Sequence, residues 1–394
     1  MNFKKYPWLT RNLLGFGIAS IFSDCSHEMV PLILPTFLMS LMGKAHAPFY
    51  LGIISSFSTS SMGITAFFSG WLSDRIKNRK LLIETGYVVE GVLVGLLSVA
   101  TNWIQVLVGC TLAWSGRGVI GSTRSALIAE STNPAYYGHA FGFRQAMDTI
   151  GSIMGPLIVY FLSTWPARSL FIITLIPATL AWLTILFFIQ ETPPEQKLPL
   201  EIKSSVSLPT HFKVVITALF VFALGNFSKT LLIMFSQSLL FPTYGPAGAL
   251  SITTLLYVFR NLIQTGATYF MGALSDRMGR KIPLAIGGFL FFGIMNILLL
   301  FAIPNILYLI IIFFFSGFSA GTSTSLEKSL AADILPHALR GTGYGLLLIV
   351  QSIGALIASM VVGFLWTAVS AQASFIYAAF LSLCAAVILL VIPE

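Results

Sequence analysis

Gly70-Trp71-Leu72-Ser73-Asp74-Arg75-Ile76-Lys77-Asn78-Arg79-Lys80 returns as Gly272-Ala273-Leu274-Ser275-Asp276-Arg277-Met278-Gly279-Arg280-Lys281, 202 positions on at the Asp-Arg pair and with one residue fewer before Arg-Lys. Each copy is a short basic stretch between two apolar runs. A second echo, at an offset of 203, relates Gly142 to Gly345, Asp148 to Gln351, Gly151 to Gly354 and Glu130 to Asp333. A chain that repeats itself at this distance is built from two similar halves in parallel order.

The residues around these loops name the solvent. Of the 394 residues, 56% are hydrophobic and 9% charged, against about 25% charged in soluble domains. Apolar runs fall at 13–41, 47–73, 80–100, 103–130, 138–164 and 168–190, then at 213–241, 247–273, 282–303, 305–333, 341–367 and 374–393. None alternates as a barrel strand would, and helices satisfy their own backbone in lipid. The fold class expected is therefore all-α: a polytopic membrane protein of 12 transmembrane helices in two six-helix bundles. The polar, Pro-containing stretch from Gln190 onward divides it into residues 1–190, a linker at 191–212, and residues 213–394.

The net charge of +8 comes from short clusters between apolar runs, the way membrane topology is written, so nucleic acid is not an expected partner. With the N-terminus inside, fourteen Lys and Arg fall in inside segments and two, Lys44 and Arg168, in outside loops. That bias places both termini and the linker in the cytoplasm. The first run is too long, and with Asp24, His27, Glu28, Pro31 and Pro35 too polar, for a signal peptide, and it is kept as the first helix. Cys25, Cys110 and Cys384 are odd in number and lack metal-site spacing, so no disulfide framework or metal site is assigned.

The duplicated G-x-L-S-D-R loops, within a six-plus-six hydropathy pattern, resemble the signature loops of the major facilitator superfamily. The resemblance covers essentially the whole chain. It implies two helix bundles that alternate access to a central solute site, with no covalent chemistry, no cofactor and a monomer as the working unit. It also implies that Asp74, Arg75, Glu130, Asp276, Arg277 and Asp333 are gate residues: the aspartates set against helix N-termini, Arg75 and Arg277 against Glu130 and Asp333. Topology alone accounts for Lys77, Arg79, Lys80, Arg280 and Lys281.

Ionisable groups at membrane depth cost a few kcal/mol each and mark function by default. Asp24, His27 and Glu28 share one face of the first helix and read as a proton site, with Arg117 and Asp148 as its expected associates. Arg117 and Gly121 resemble the fourth-helix Arg-x-x-x-Gly core of proton-coupled antiporters, and Arg124, seven residues on, lies on the same face. Arg144 and Asp148 stand four apart as an internal ion pair, and Gly151 to Pro156 resembles the fifth-helix G-x-x-x-G-P antiporter motif, though Val159 and Tyr160 replace the two glycines usual beyond it. Counted by sign, the interior cations Arg117, Arg124, Arg144, Lys229, Arg260 and Lys328 equal the acids Asp24, Glu28, Glu84, Glu90, Asp148 and Glu327. The acids gather in the first and third helices. Lys229 and Arg260 have no nearby acid in sequence, which favours an anionic or zwitterionic solute. Tyr257, Tyr269 and Trp114 are aromatic candidates for a cavity wall.

The expected protein is a proton-coupled secondary transporter of a small organic solute in the inner membrane, leaning to efflux antiport. The alternative is a symporter importing an organic acid or carboxylate metal chelate. An enzyme is disfavoured by the lack of a phosphate-cradling glycine loop, a metalloprotease helix motif or a large soluble domain. Reporter fusions test the orientation: fusions at either end or within 191–212 should report the cytoplasm, and one beside Lys44 or Arg168 the opposite side. A non-cytoplasmic signal from 191–212 would reverse the assignment.

Overall fold

Apolar chain that has no water to bond with closes its hydrogen bonds within itself, and that is the local rule this chain follows. The computed structural model describes residues 9–73, 75, 78–133, 136–191, 209–335 and 340–391; among them are helices and no strand. The helices are α1 Arg11–Met42, α2 Ala47–Ser73, α3 Arg79–Leu96, α4 Trp103–Ser131, α5 Tyr137–Phe161, α6 Ala167–Ile173 and α7 Leu175–Phe188. They continue as α8 Thr210–Gly225, α9 Lys229–Met278, α10 Lys281–Pro283, a π turn at Leu284–Leu290, α11 Phe291–Leu299, α12 Ile306–Ile334, α13 Arg340–Ala368 and α14 Ala371–Val391. Nine stretches of the described residues are long and apolar enough to cross a membrane. The all-α membrane architecture expected from sequence is the one observed.

Where the helical ladder breaks, a neighbour takes up the loose groups. Pro177 has no N–H to offer the carbonyl of Ile173, and the helix divides there into α6 and α7. Ser26 Oγ of α1 donates to the Thr174 carbonyl at the break, 3.0 Å away. The π turn is served by Ser319 Oγ, which donates to the Gly288 carbonyl at 2.6 Å, and by Ser382 Oγ on the Phe289 carbonyl. Within α9 the backbone turns at Gly245, φ 66°, between Pro242 and Pro246, a conformation open to a residue without Cβ.

The chain divides into two compact units, Met1–Phe37 with Ser61–Ile202 and Leu38–Ser60 with Lys203–Glu394. In the first, α3 lies along α4 and α7, and a core of Leu13, Phe16, Ile83, Tyr87, Ile120, Leu127 and Ile185 joins α1, α3, α4 and α7. Asn12 closes this unit by exchanging hydrogen bonds with the backbone of Gln190, each 2.9 Å. In the second, α9 lies along α12 and α8 packs on α13 and α14. Phe222 stacks on Phe289, centroids 4.2 Å apart, and Phe227 and Phe292 extend the aromatic layer.

The repeat seen in sequence recurs as contacts made separately inside each unit. Gly118 of α4 abuts the Met62 carbonyl of α2, and Gly321 of α12 abuts the Gln264 carbonyl of α9. Gly151 of α5 meets α1 at Ile21 and Asp24; Gly354 of α13 meets α8 at Ala223. Gly155 adds a second close approach, to the Cys25 carbonyl, so the Gly151-to-Pro156 motif is realised as the contact of α5 with α1. A side chain at 155 would meet backbone that cannot swing away. Gly155→Val should therefore lower stability by about 1–3 kcal/mol through overpacking. Gly142→Ala, on the same helix with nothing near its Cβ direction, should raise it by about 0.5–1 kcal/mol. Thermal unfolding of the two purified variants checks both signs.

Candidate functional site

Among the described residues, two clusters of polar side chains occupy the helical interior of the first unit, and the second unit holds one around Arg260 and the pair of Glu327 and Gln351. At the centre of the first cluster is Arg117, projected from the middle of α4. Its Nη2 bonds Asp24 of α1, and its Nη1 donates to Glu90 Oε1 of α3 at 3.2 Å and to Ser23 Oγ at 3.3 Å. Glu90 Oε1 also meets His27 Nδ1 at 3.0 Å, and the His27 ring lies 4.7 Å from that of Trp114. Asp24, His27 and Glu90 are buried. Close approach is built into the backbone here, because Gly86 and Gly116 bring α3 and α4 together beside these side chains.

The charges leave room for one proton. Asp24 and Glu90 ionised against Arg117 sum to minus one with His27 neutral, and to zero when the cluster takes up a proton. The His27 to Glu90 contact forms only with a hydrogen between the two atoms, carried by the imidazole or by the carboxyl. Glu90 was counted in sequence among the interior acids but not assigned to the site. The signal was there, since an acid midway along an apolar helix demands a partner; which helix supplied it was not.

The second cluster lies around Arg124. Its Nη1 donates to Ser20 Oγ of α1 at 2.8 Å and stands 3.9 Å from Asp148 Oδ1 of α5, while Arg144 Nη2 reaches Asp148 Oδ2 at 3.3 Å. Arg144 and Asp148 thus form the pair expected from their spacing. Two guanidinium groups share one carboxylate. Tyr87 Oη, Arg124 Nε, Arg144 Nε and Asp148 Oδ1 are buried without a hydrogen-bond partner in the described structure. Native interiors leave few such atoms, and four of them gather here. Glu28, grouped in sequence with Asp24 and His27, is only partly buried.

In the second unit Arg260 is buried, its Nε bonding Ser316 Oγ of α12 at 3.0 Å and its Nη1 bonding Gln264 Oε1 at 2.9 Å. The Tyr257 ring, fully buried, has Lys229 Nζ 5.1 Å and the Arg260 guanidinium 6.0 Å from its centroid. Sequence offered Lys229 and Arg260 as cations without a nearby acid and Tyr257 separately as an aromatic candidate; the ring distances bring the three side chains together. Tyr269, also offered as a cavity residue, is 83% exposed and does not join the Tyr257 cluster.

At the repeated loops the acids find arginines that sequence had assigned to topology. Arg79 Nη1 meets Glu130 at 2.5 Å, both buried or nearly so, and Arg280 holds Asp333 and, at 3.6 Å, Asp276. Topology therefore does not exhaust the roles of Arg79 and Arg280: Arg79, at the start of α3, ties its loop to α4, and Arg280, just before α10, ties its loop to α12. Arg75 and Arg277 are exposed, and Asp74 lies outside the described residues.

An uncharacterized MFS-type transporter of Methanocaldococcus jannaschii, MJ1317, is 28% identical over 387 residues, 98% of this chain and 95% of that protein. The cis,cis-muconate transport protein of Acinetobacter baylyi is 25% identical over 334 residues, 80% of this chain and 78% of its own. The crystal structure of the nucleoside transporter NupG superposes with a TM-score of 0.77 at 13% identity, covering 97% of this chain and 98% of that one, a likeness of fold. The sequence profile of the Major Facilitator Superfamily matches residues 16–259 and again 218–394. The chain belongs to the Major Facilitator Superfamily and is a membrane transporter.

Proposed function

We propose that this transporter is a twelve-span, proton-coupled carrier of a small organic anion that works by alternating access, with solute and proton moving together. The observation that carries this reading is Arg117 held at once by Asp24 and Glu90, with His27 on Glu90. A solute carboxylate that binds Arg117 must displace a protein carboxylate from it. The displaced acid, left in a low-dielectric interior, is stabilised by taking up a proton. Anion and proton therefore enter as a pair. Arg124 and Arg144, with their unbonded Nε atoms, are further cationic positions within the same unit, suited to a solute with more than one acidic group. The muconate transporter among its relatives supports an organic acid, since cis,cis-muconate is a dicarboxylate.

A second reading, efflux by proton antiport, draws on the Gly151-to-Pro156 motif and its contact with α1. In that case a neutral or cationic solute competes with protons for Asp24 and Glu90, and the pH dependence inverts. In proteoliposomes supplied with labelled organic acids, beginning with cis,cis-muconate, symport requires uptake to rise as the outside is acidified. Antiport requires acid outside to drive efflux, and drugs or organic cations to replace the acids as solutes.

Two variants test the cluster. Arg117→Ala should cut proton-driven uptake at least about tenfold, because one charge-assisted contact is worth about 1.5–3 kcal/mol. Arg117→Lys should recover part of it, limited by the loss of the planar fork that serves two carboxylates at once. Asp24→Asn should keep solute exchange between equal pools while losing accumulation against a gradient, since exchange needs the solute contacts and no net proton release. Accumulation at the native level by Asp24→Asn would remove this cluster from coupling.

A further inference from the structure

The offset of 203 that relates Glu130 to Asp333 and Asp148 to Gln351 also takes Arg124 to Glu327. The two positions meet in both units: Arg124 faces Asp148 between α4 and α5, and Glu327 is hydrogen-bonded by Gln351 between α12 and α13. The same pair of sites thus holds a cation and an acid in one unit, and an acid and an amide in the other. Glu327 is buried, and among the described residues it makes no salt bridge.

Apart from its sequence neighbour Lys328, whose charge acts on it, the charged groups on the elements around it are placed elsewhere. Lys328 is exposed. On α9, Arg260 is bonded to Ser316, about three turns back along α12, and Asp276 and Arg277 stand exposed at the C-terminal end. Arg280 is engaged with Asp333, Lys281 opens α10, and His211 and Lys213 lie in the first turn of α8. The π turn and α11 carry no charged residue. From α13 the group that meets Glu327 is the Gln351 amide.

An amide is a partner for both states of a carboxyl group. Its Nε2–H donates to the carboxylate, and once a proton has formed an O–H on Glu327, the amide turned over accepts that hydrogen on Oε1. An arginine in its place would hold the acid ionised. We propose that Glu327 is a proton-binding residue of the second unit, exchanging its proton with water during transport and held in both states by Gln351. The proposal extends the proton-coupled reading above but is independent of the first cluster and of the solute.

Infrared difference spectroscopy of the purified, lipid-reconstituted full chain, titrated with acid and base without solute, reads protonation directly. The carbonyl stretch of a protonated carboxyl should appear on acidification and shift in deuterium oxide. Glu327→Gln, in which an amide replaces the acid beside Gln351, should lose that component. Gln351→Arg should lose it too, while Glu327 remains. A wild-type titration unchanged by either substitution, in variants whose unfolding temperature matches the parent, overturns the proposal. Transport driven by a pH gradient is measured separately on the same preparations. Its absence from the parent would overturn the proton-coupled reading while leaving the assignment of Glu327 to the spectra.

Discussion

Hydrocarbon offers no hydrogen bonds, so each charge carried into this protein's interior must be met by another group of the protein. Arg117 shows the consequence most fully. Removing one partner of a buried pair costs about 3–5 kcal/mol, and Arg117 has two acidic partners, drawn from α1 and α3. The arginine orders three helices around itself. The serines of α1 follow the same rule: Ser20 and Ser23 receive hydrogen bonds from Arg124 and Arg117, and Ser26 donates to the broken ladder at Thr174.

The pairing that stabilises such an interior also makes it responsive. A cluster with two acids, one arginine and one imidazole does not cancel its charges in a fixed one-to-one pairing. A cluster with two arginines on one aspartate leaves an excess of positive charge and buried polar atoms unbonded. Fixed neutral pairs everywhere would give a more stable bundle with nothing to exchange. The incomplete pairing is where a carrier's function is expected to reside, because binding requires groups that gain by meeting the solute.

Duplication has been used asymmetrically. Small residues recur at equivalent helix crossings, Gly118 with Gly321 and Gly151 with Gly354, since the backbone approach they permit serves both units alike. The loop ion pairs recur as well, Arg79 with Glu130 and Arg280 with Asp333, although the first is buried and the second more exposed. The charged interior positions have diverged: Arg124 and Asp148 answer to Glu327 and Gln351. Packing positions tolerate only residues that fit, whereas interior polar positions can change sign if a partner changes with them.

Much of this was legible from sequence because it depends on local chemistry. Apolar runs in lipid must be helices, a duplicated loop at a constant offset must mean two similar halves, and Arg144 with Asp148 must pair if four residues apart on a helix. The membership of the charged trio was legible only in part. Asp24 and His27 share a helix face with Glu28, yet the structure joins them to Glu90 and Arg117 from other helices, and Arg79 rather than topology alone claims Glu130. Helix-face arithmetic relates residues three or four apart, and it is silent about the rotation and depth at which one helix meets another. Those were decided by tertiary packing, by glycines such as Gly86 and Gly116 that set how closely α3 and α4 approach, and so by which opposite charges came within reach once water was excluded.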